Sequence, residues 1–527
     1  MTEGHSEYHD RLQKLKLIEE GGVTAYPDRF KISTKVAESL EAAEGLDLRE
    51  VKEIVENGVK EDFRLAGRLM SFRQHGKISF AHLQDFSGKM QICFMEDILG
   101  KELYKSLRRF DTADHVGVVG ELFRTNHGEV TLMVKEFVLL SKTLRPLPEK
   151  WHGLKDKETM YRQRYLETTT NRETMNRFIF RSDLVRILRE FYWAEGFIEI
   201  ETPVLETISS GATASPFMTH HNALDIDVYL RIAGGELWQK MALVGGFEKT
   251  FEVARVFRNE GIDPSHLQEF TMVEHYAAYW NYEDNMDFTE RMFQFLFERL
   301  GLPMKVKIMD REGELREVDF KAPWPRVKFT DLIKKDCGID VLEHDEESLK
   351  KAIKEKKIVV EGLEELGYGN LVDHLYKKVS RPKLVEPTFV IQHPVDMKPL
   401  ARRSDEDPRL ADTFQLLVNT WEVINAYGEI VDPRDQRARF EAQSLAKAGG
   451  DEEAMMMNEE YLLAMEHGMP CMSGWGMGID RLVTLLTGQD NLKDCVMFPL
   501  MKPLDEVVKK QENLMKKMKE KIKKSKK

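Results

Sequence analysis

The sequence predicts an α+β protein in which a small β-barrel precedes a larger domain of sheet and helices. Three observations lead there. The chain has 527 residues, too many for one core of ordinary size, so two or three domains are expected. Short strand-like runs broken by glycine crowd between Phe63 and Ser141, the texture of a small all-β unit. The prolines of Arg145-Pro146-Leu147-Pro148 then interrupt the chain, and two prolines so close join neither a helix nor a central strand.

Taken in order, residues 1–60 read as a helical extension, with Leu12, Leu15 and Ile18 at apolar helical spacing and a turn at Tyr26-Pro27. Over 61–144 the expected strands run from Phe63 to Met70, Lys77 to Leu83, Met90 to Phe94, His115 to Phe123 and Val130 to Leu140. Five strands of that length suit a barrel of the oligonucleotide-binding type. Residues 145–170 form the expected linker. From 171 to 503 an α+β domain is expected, opening on a helix near Arg172 to Glu195 that carries Leu184, Leu188 and Phe191 on one face and stops at Gly196. A charged, mostly helical insertion is expected within it at 322–385, and residues 504–527 form a lysine-rich tail.

Composition narrows the function classes. A hydrophobic share of 42% beside a charged share of 32% describes a soluble globular protein. No apolar run reaches the roughly 20 residues that a membrane span needs, and Met1 to Asp10 lack a secretion signal, so a cytoplasmic protein without a membrane partner is expected. Cys93, Cys337, Cys471 and Cys495 lie far apart, which predicts reduced thiols rather than a disulfide framework or zinc site. The net charge of −12 opposes nonspecific binding of nucleic acid by the body, yet Val507 to Lys527 hold ten lysines and two acids. That imbalance fits selective contact with a polyanion or simply a solvated tail.

Three separated segments carry the chemistry. Gly196-Phe-Ile-Glu-Ile-Glu-Thr-Pro203 is a helix entering a strand that ends at proline, and alone it is an ordinary junction. Phe257-Arg-Asn-Glu-Gly261, followed by His266 and Glu269-Phe270-Thr271, sets arginine, glutamate and histidine on two strands and their loop. An arginine can neutralise charge building on a phosphate and an aromatic ring can stack on a base, although a surface ion-pair network would use the same residues. Gly474-Trp-Gly-Met-Gly-Ile-Asp-Arg481 places three glycines before a helix whose first turn holds Arg481. That arrangement suits a close backbone approach to a phosphate, and equally a tight packing of strand on helix.

In this order and spacing the segments resemble the three signature motifs of class II aminoacyl-tRNA synthetases. Gly67-Arg68, Gly76-Lys77-Ile78-Ser79-Phe80, Tyr161-Arg-Gln-Arg-Tyr165, Thr219-His-His-Asn-Ala223 and Pro399-Leu-Ala-Arg-Arg403 narrow the likeness to the bacterial-type class II lysyl-tRNA synthetases. The resemblance runs from about residue 10 to Pro503, and the class I signatures are absent. It implies an oligonucleotide-binding barrel followed by an antiparallel sheet flanked by helices. It also implies a ligase that activates L-lysine with ATP and loads it onto tRNA(Lys).

Roles carried over by the resemblance are as follows. Arg258 and Arg481 grip the ATP phosphates and are the catalytic residues, with Glu260, His266, Phe270, Gly476 and Gly478 completing the ATP site. Gly211, Glu236, Glu274, Tyr276, Asn425, Tyr427 and Glu429 hold lysine, whose ammonium calls for carboxylates. Phe80, Gln91 and Glu129 read the anticodon with Arg68 and Arg73 nearby; on composition alone Phe80 would be core and Gln91 an exposed strand residue. Glu422 holds Mg2+, and its expected partner carboxylate seven positions earlier is Gln415, so weaker or fewer metal sites are expected. The segment from Phe197 to Pro203 builds a homodimer interface.

The chain departs from the pattern at Leu267-Gln268, at Ser215 and at Gly234-Gly235. The competing readings are an aspartate or asparagine ligase, a non-catalytic tRNA-binding paralogue, and a lysine ligase acting on a translation factor.

Overall fold

The computed structural model describes residues 3–148, 156–209, 211–212, 214–310, 313–398, 401–448 and 456–525. Residues 149–155 of the expected linker, Pro399 and Leu400 of the Pro399–Arg403 motif, and the last two lysines of the tail lie outside them. The chain divides into two compact units, Met1–Leu154 and Lys155–Lys527.

In the first unit, helices Glu3–Glu20, Val36–Gly45 and Val51–Asn57 precede five strands: β1 (Phe63–His75), β2 (Ile78–Gln84), β3 (Lys89–Met95), β4 (His115–Arg124) and β5 (Val130–Ser141). They close into a barrel in the order β1-β2-β3-β5-β4, as the five glycine-broken runs predict. Strand β1 extends to His75 because its outer half pairs with β2 through Arg73↔Phe80 and His75↔Ile78, a length that the local sequence does not announce. Alternation fixes the faces: Leu65, Leu69, Ala81, Leu83, Ile92 and Leu132 fill the interior while Phe80 and Gln91 point outward.

The second unit is built on an eight-stranded sheet. Its strands lie in the order Arg326–Lys328, Thr388–Ile391, Thr413–Val418, Trp421–Gly428, Met472–Gly478, Glu269–Ala278, Lys249–Phe257 and Ile198–Glu199. The six inner strands pair antiparallel, whereas both edge strands add in parallel. The expected antiparallel sheet is thus the body of a mixed one, and each parallel edge strand arrives from a separate crossover rather than a hairpin.

The helix Arg172–Ala194 starts where the Asn171 side chain accepts hydrogen bonds from the backbone N–H groups of Glu173 and Thr174. It packs Leu184, Leu188 and Phe191 onto one face of the sheet together with Phe251, Phe288 and Trp475. Within this core His275 bonds Tyr192 and Asn285 at 2.8 Å each, and burial pushes its pKa down to about 3, so it stays neutral. Helices Phe329–Cys337, Glu346–Glu355 and Tyr368–Val379 build a second apolar cluster around Ile333, Leu349 and Leu371, which Val390 and Leu417 of the sheet close. The helix Asp505–Ser525 leaves Val507, Leu514, Met515 and Met518 exposed among its lysines.

Candidate active site

Sheet register assembles the site. Cross-strand partners share a face, and the pairings Tyr276↔Gly474↔Tyr427 and Glu274↔Gly476↔Asn425 set two rows side by side across three neighbouring strands. Gly474, Gly476 and Gly478 therefore all fall on the same face of the strand Met472–Gly478, while Trp475 and Met477 between them enter the core. The three glycines before the helix Ile479–Leu486 thus belong to an inner strand of the sheet. At Gly474 a Cβ would come within 2.3 Å of a Glu429 carboxylate oxygen and 2.4 Å of the Tyr276 ring, so only glycine leaves the floor low enough.

Above that floor lies a cavity of about 620 Å³ lined by Gly211, Glu236, Arg258, Glu260, His266, Phe270, Glu274, Tyr276, Glu422, Asn425, Tyr427, Gly476, Gly478 and Arg481. Fourteen of the sixteen residues assigned from sequence to ATP, lysine and metal thus meet in one place; Glu429 and Gln415 are not on its lining.

At one end the carboxylates cluster. Gly235 starts the helix Glu236–Val244 at φ +78°, where a Cβ would strike Thr202 at 2.2 Å. The Gly234 N–H donates to Glu274 Oε1 at 2.8 Å, a bond that a proline there could not make. Glu274 Oε2 and Asn425 Oδ1 are buried and accept hydrogen bonds from none of the described residues. Burial, reinforced by Glu236, pushes the Glu274 carboxyl up to about 8. Glu429 lies behind the lining. Its carboxylate is 2.6 Å from the ammonium of Lys240, which also lies 2.7 Å from Glu236 Oε1. Burial opposes the charge on Lys240, but Glu236 and Glu429 outweigh it and hold the ammonium well above the ordinary lysine range. Sequence reasoning missed Lys240, although its place one helical turn after Glu236 was a signal.

The opposite end is cationic. The Arg258 guanidinium stacks 5.3 Å from the centroid of Phe270 because the register Val256↔Phe270 and the bond from the Arg258 N–H to the Gln268 carbonyl at 2.8 Å set them together. The unexpected Gln268 is itself buried and bonds the carbonyls of Gly261 and Glu260 at 3.2 and 3.4 Å, bracing the loop from within. Asn259 bonds the Ser215 carbonyl at 2.8 Å. His266 is held by Asp263 at 2.7 Å. Arg481 donates to the Glu422 backbone carbonyl, while Asp480 turns away to receive the Thr271 N–H.

For Mg2+ the two expected residues fit unequally. Burial opposes ionisation of Glu422, but Arg481, Lys398 and Arg381 hold its carboxyl down at about 2, so an anionic oxygen faces the cavity as a hard cation requires. Gln415 is less well placed: its amide oxygen accepts from His393 at 3.2 Å and its NH2 donates to Glu422 at 3.2 Å, so the amide turns its donor, not its oxygen, toward the carboxylate. Among the described residues no group of three His, Cys, Asp or Glu side chains is arranged for a metal ion.

The family described as tRNA synthetases class II (D, K and N) matches residues 156–502. The chain belongs to the class II tRNA synthetases. The family described as the OB-fold nucleic acid binding domain matches residues 63–140, the barrel of this synthetase. Among curated relatives, the lysine–tRNA ligase of Thermosipho africanus is 45% identical over 496 residues, covering 94% of this chain and 95% of its own. That of Aquifex aeolicus is 47% identical over 442 residues, 83% of this chain and 73% of its own. That of Carboxydothermus hydrogenoformans is 42% identical over 495 residues, covering 94% and 98%.

On the barrel of the synthetase, the register pairs Arg73 with Phe80, His82 with Gln91 and Gln91 with Thr131, so these side chains share the outer face. Gln91 Nε2 donates to Glu129 at 2.8 Å and its Oε1 accepts from Thr131 at 3.0 Å. Phe80 is half-buried against the cluster of Cys93 and Met133, which leaves part of its ring on the surface. Arg68 instead bonds the Ala113 carbonyl at 3.2 Å and is half-buried. His82, 2.7 Å from Ser71 and on the same face as Gln91, was not singled out in the sequence.

Proposed function

We propose that the cavity joins L-lysine to ATP as lysyl-adenylate and passes the aminoacyl group to tRNA(Lys), whose anticodon the barrel reads. The chain is a lysine–tRNA ligase, in line with relatives of that name over 94% of its length. The observation that carries the choice of amino acid is the pair of buried acceptors without donors, Glu274 Oε2 and Asn425 Oδ1. Buried acceptors call for hydrogen-bond donors, and lysine brings two ammonium groups. With Lys240 paired to Glu236 and Glu429, the three carboxylates keep two net negative charges for two ammonium groups once the arriving substrate ionises Glu274.

In this reading the lysine carboxylate attacks the α-phosphorus of ATP and pyrophosphate leaves. The terminal ribose hydroxyl of the tRNA then attacks the mixed anhydride and AMP leaves. Arg258 and Arg481 neutralise charge on the phosphates, Phe270 stacks on the adenine, Glu260 and His266 bound its pocket, and Gly476 and Gly478 allow close approach. Mg2+ on the Glu422 carboxylate would supply charge neutralisation on the triphosphate. No protein nucleophile is needed.

Exposed Trp193, Ile198, Val204 and Leu205 in and around the segment from Phe197 to Pro203 support a homodimer through that segment, which the molar mass from light scattering tests. No described helix is long and apolar enough to cross a membrane, and we assign the activity to the cytoplasm. Exchange of labelled pyrophosphate into ATP, run with each amino acid in turn, tests the whole reading. Exchange driven by lysine alone supports it; exchange driven by aspartate or asparagine, or tRNA binding without exchange, overturns it.

A further inference from the structure

The side chains around Glu422 carry an arrangement that the roles above do not use. Lys398 and Arg381 line the same cavity, yet among the described residues neither has an ion-pair partner within 4.0 Å, whereas the neighbouring Lys377 is paired to Asp373 at 2.6 Å. Arg381 is anchored by its Nε on the Thr420 carbonyl at 2.8 Å. Lys398 places its ammonium 5.5 Å from the Tyr427 ring centroid. Arg381 follows the helix Tyr368–Val379 and Lys398 follows the turn Val395–Met397, so the helical segment before the strand Thr388–Ile391 and the loop after it each deliver one cation to the triphosphate end.

Gln415 points the same way. A divalent ion shared between positions 415 and 422 needs anionic or free oxygen ligands. The Gln415 amide turns its donor to Glu422, and its oxygen faces His393 at 3.2 Å, whose other nitrogen bonds Thr413 at 3.0 Å. A second dication would also stand beside the Lys398 ammonium and be repelled by it.

We propose that Lys398 and Arg381 bind the ATP phosphates as fixed charges in place of a metal ion shared between positions 415 and 422. ATP then binds this chain with fewer divalent ions than a carboxylate pair would recruit. The inference rests on the reading that this cavity holds ATP.

Calorimetric titration of the full chain with ATP, at limiting and at saturating Mg2+, tests it together with Mn2+ counting by paramagnetic resonance in the presence of a non-hydrolysable ATP analogue. Lys398→Met is expected to weaken ATP binding by about tenfold at limiting Mg2+, the worth of one hydrogen bond to a charged group, and by less at saturating Mg2+; Lys398→Arg retains most of the affinity. The double variant Gln415→Glu, Lys398→Met is expected to bind more Mn2+ per nucleotide than the unsubstituted chain. Unchanged ATP affinity in Lys398→Met, or equal Mn2+ counts, overturns the inference alone. Absence of ATP binding by the unsubstituted chain overturns the ATP reading as well.

Discussion

Lys240 places its ammonium 2.6 Å from a carboxylate oxygen of Glu429, with both side chains almost wholly shielded from water. The pair turns a cluster of three acids into one whose remaining charge matches an incoming lysine. Breaking a buried pair by removing one partner leaves a charge uncompensated and typically costs roughly 3–5 kcal/mol. Lys240→Met is therefore expected to lower the denaturation midpoint of the large unit and to raise the KM for lysine. Restoring neutrality with Glu429→Gln in the same chain should recover stability but not lysine affinity. Urea unfolding followed by tryptophan fluorescence checks the first part, and unaltered stability of the single variant would contradict it.

Lysine binding should depend on pH through Glu274. Its carboxyl titrates near 8 when folded, against an ordinary 4.5, so between those values the folded chain holds more protons than the unfolded one. Its contribution to stability consequently falls as pH rises through that window. An incoming ammonium favours the ionised carboxylate, so binding expels the proton. The KM for lysine is expected to fall from about pH 6 to about pH 8, with proton release visible as a buffer-dependent binding enthalpy. Glu274→Gln should flatten both; a pH-independent KM in the unsubstituted chain would refute the assignment.

Gly474→Ala tests the low floor. The new methyl would stand within 2.4 Å of both Glu429 and the Tyr276 ring, and overpacking of this kind costs about 1–3 kcal/mol. Lysine-dependent exchange should lose affinity for lysine with little change in the KM for ATP. Gly476→Ala, whose nearest contact is Glu274 at 3.3 Å, should be milder. Equal effects on both substrates would argue against a floor specific to the amino acid.

On the barrel, Phe80→Leu keeps apolar packing against Cys93 but removes the ring face. Stacking of a base on an aromatic side chain is worth about 1–3 kcal/mol, so the KM for tRNA in aminoacylation should rise by roughly fivefold or more while pyrophosphate exchange is unchanged. Gln91→Ala should act in the same direction. A loss of exchange would instead place the defect in folding.

Much of this was legible in the sequence, for reasons that differ from residue to residue. The barrel announced itself because its strands are short alternating runs crowded into one stretch, with glycines such as Gly76, Gly88 and Gly128 in the turns between them. The parallel edges of the large sheet were hidden, since Ile198–Glu199 and Arg326–Lys328 are too short to carry a period. The alternation Gly474, Gly476, Gly478 was visible as spacing, but its purpose needs the register that sets Tyr276 and Tyr427 on either side. Glu429 was found as an acid, and its retreat from the cavity was not, because that depends on Lys240. Lys398 and Arg381 belong to no motif quoted from the sequence, and only the fold brings them to Glu422. The direction of the Gln415 amide is set by His393, a partner 22 positions away.

The central claim is electrostatic: carboxylates at one end of the cavity select a cationic side chain. Lysine-dependent pyrophosphate exchange compared with that supported by norleucine, which has the same chain without the ammonium, tests it most directly. The expected result is a kcat/KM for norleucine lower by roughly 2–5 kcal/mol, about thirtyfold to several thousandfold, as for a buried charge left without its partner. Comparable use of the two amino acids would contradict it.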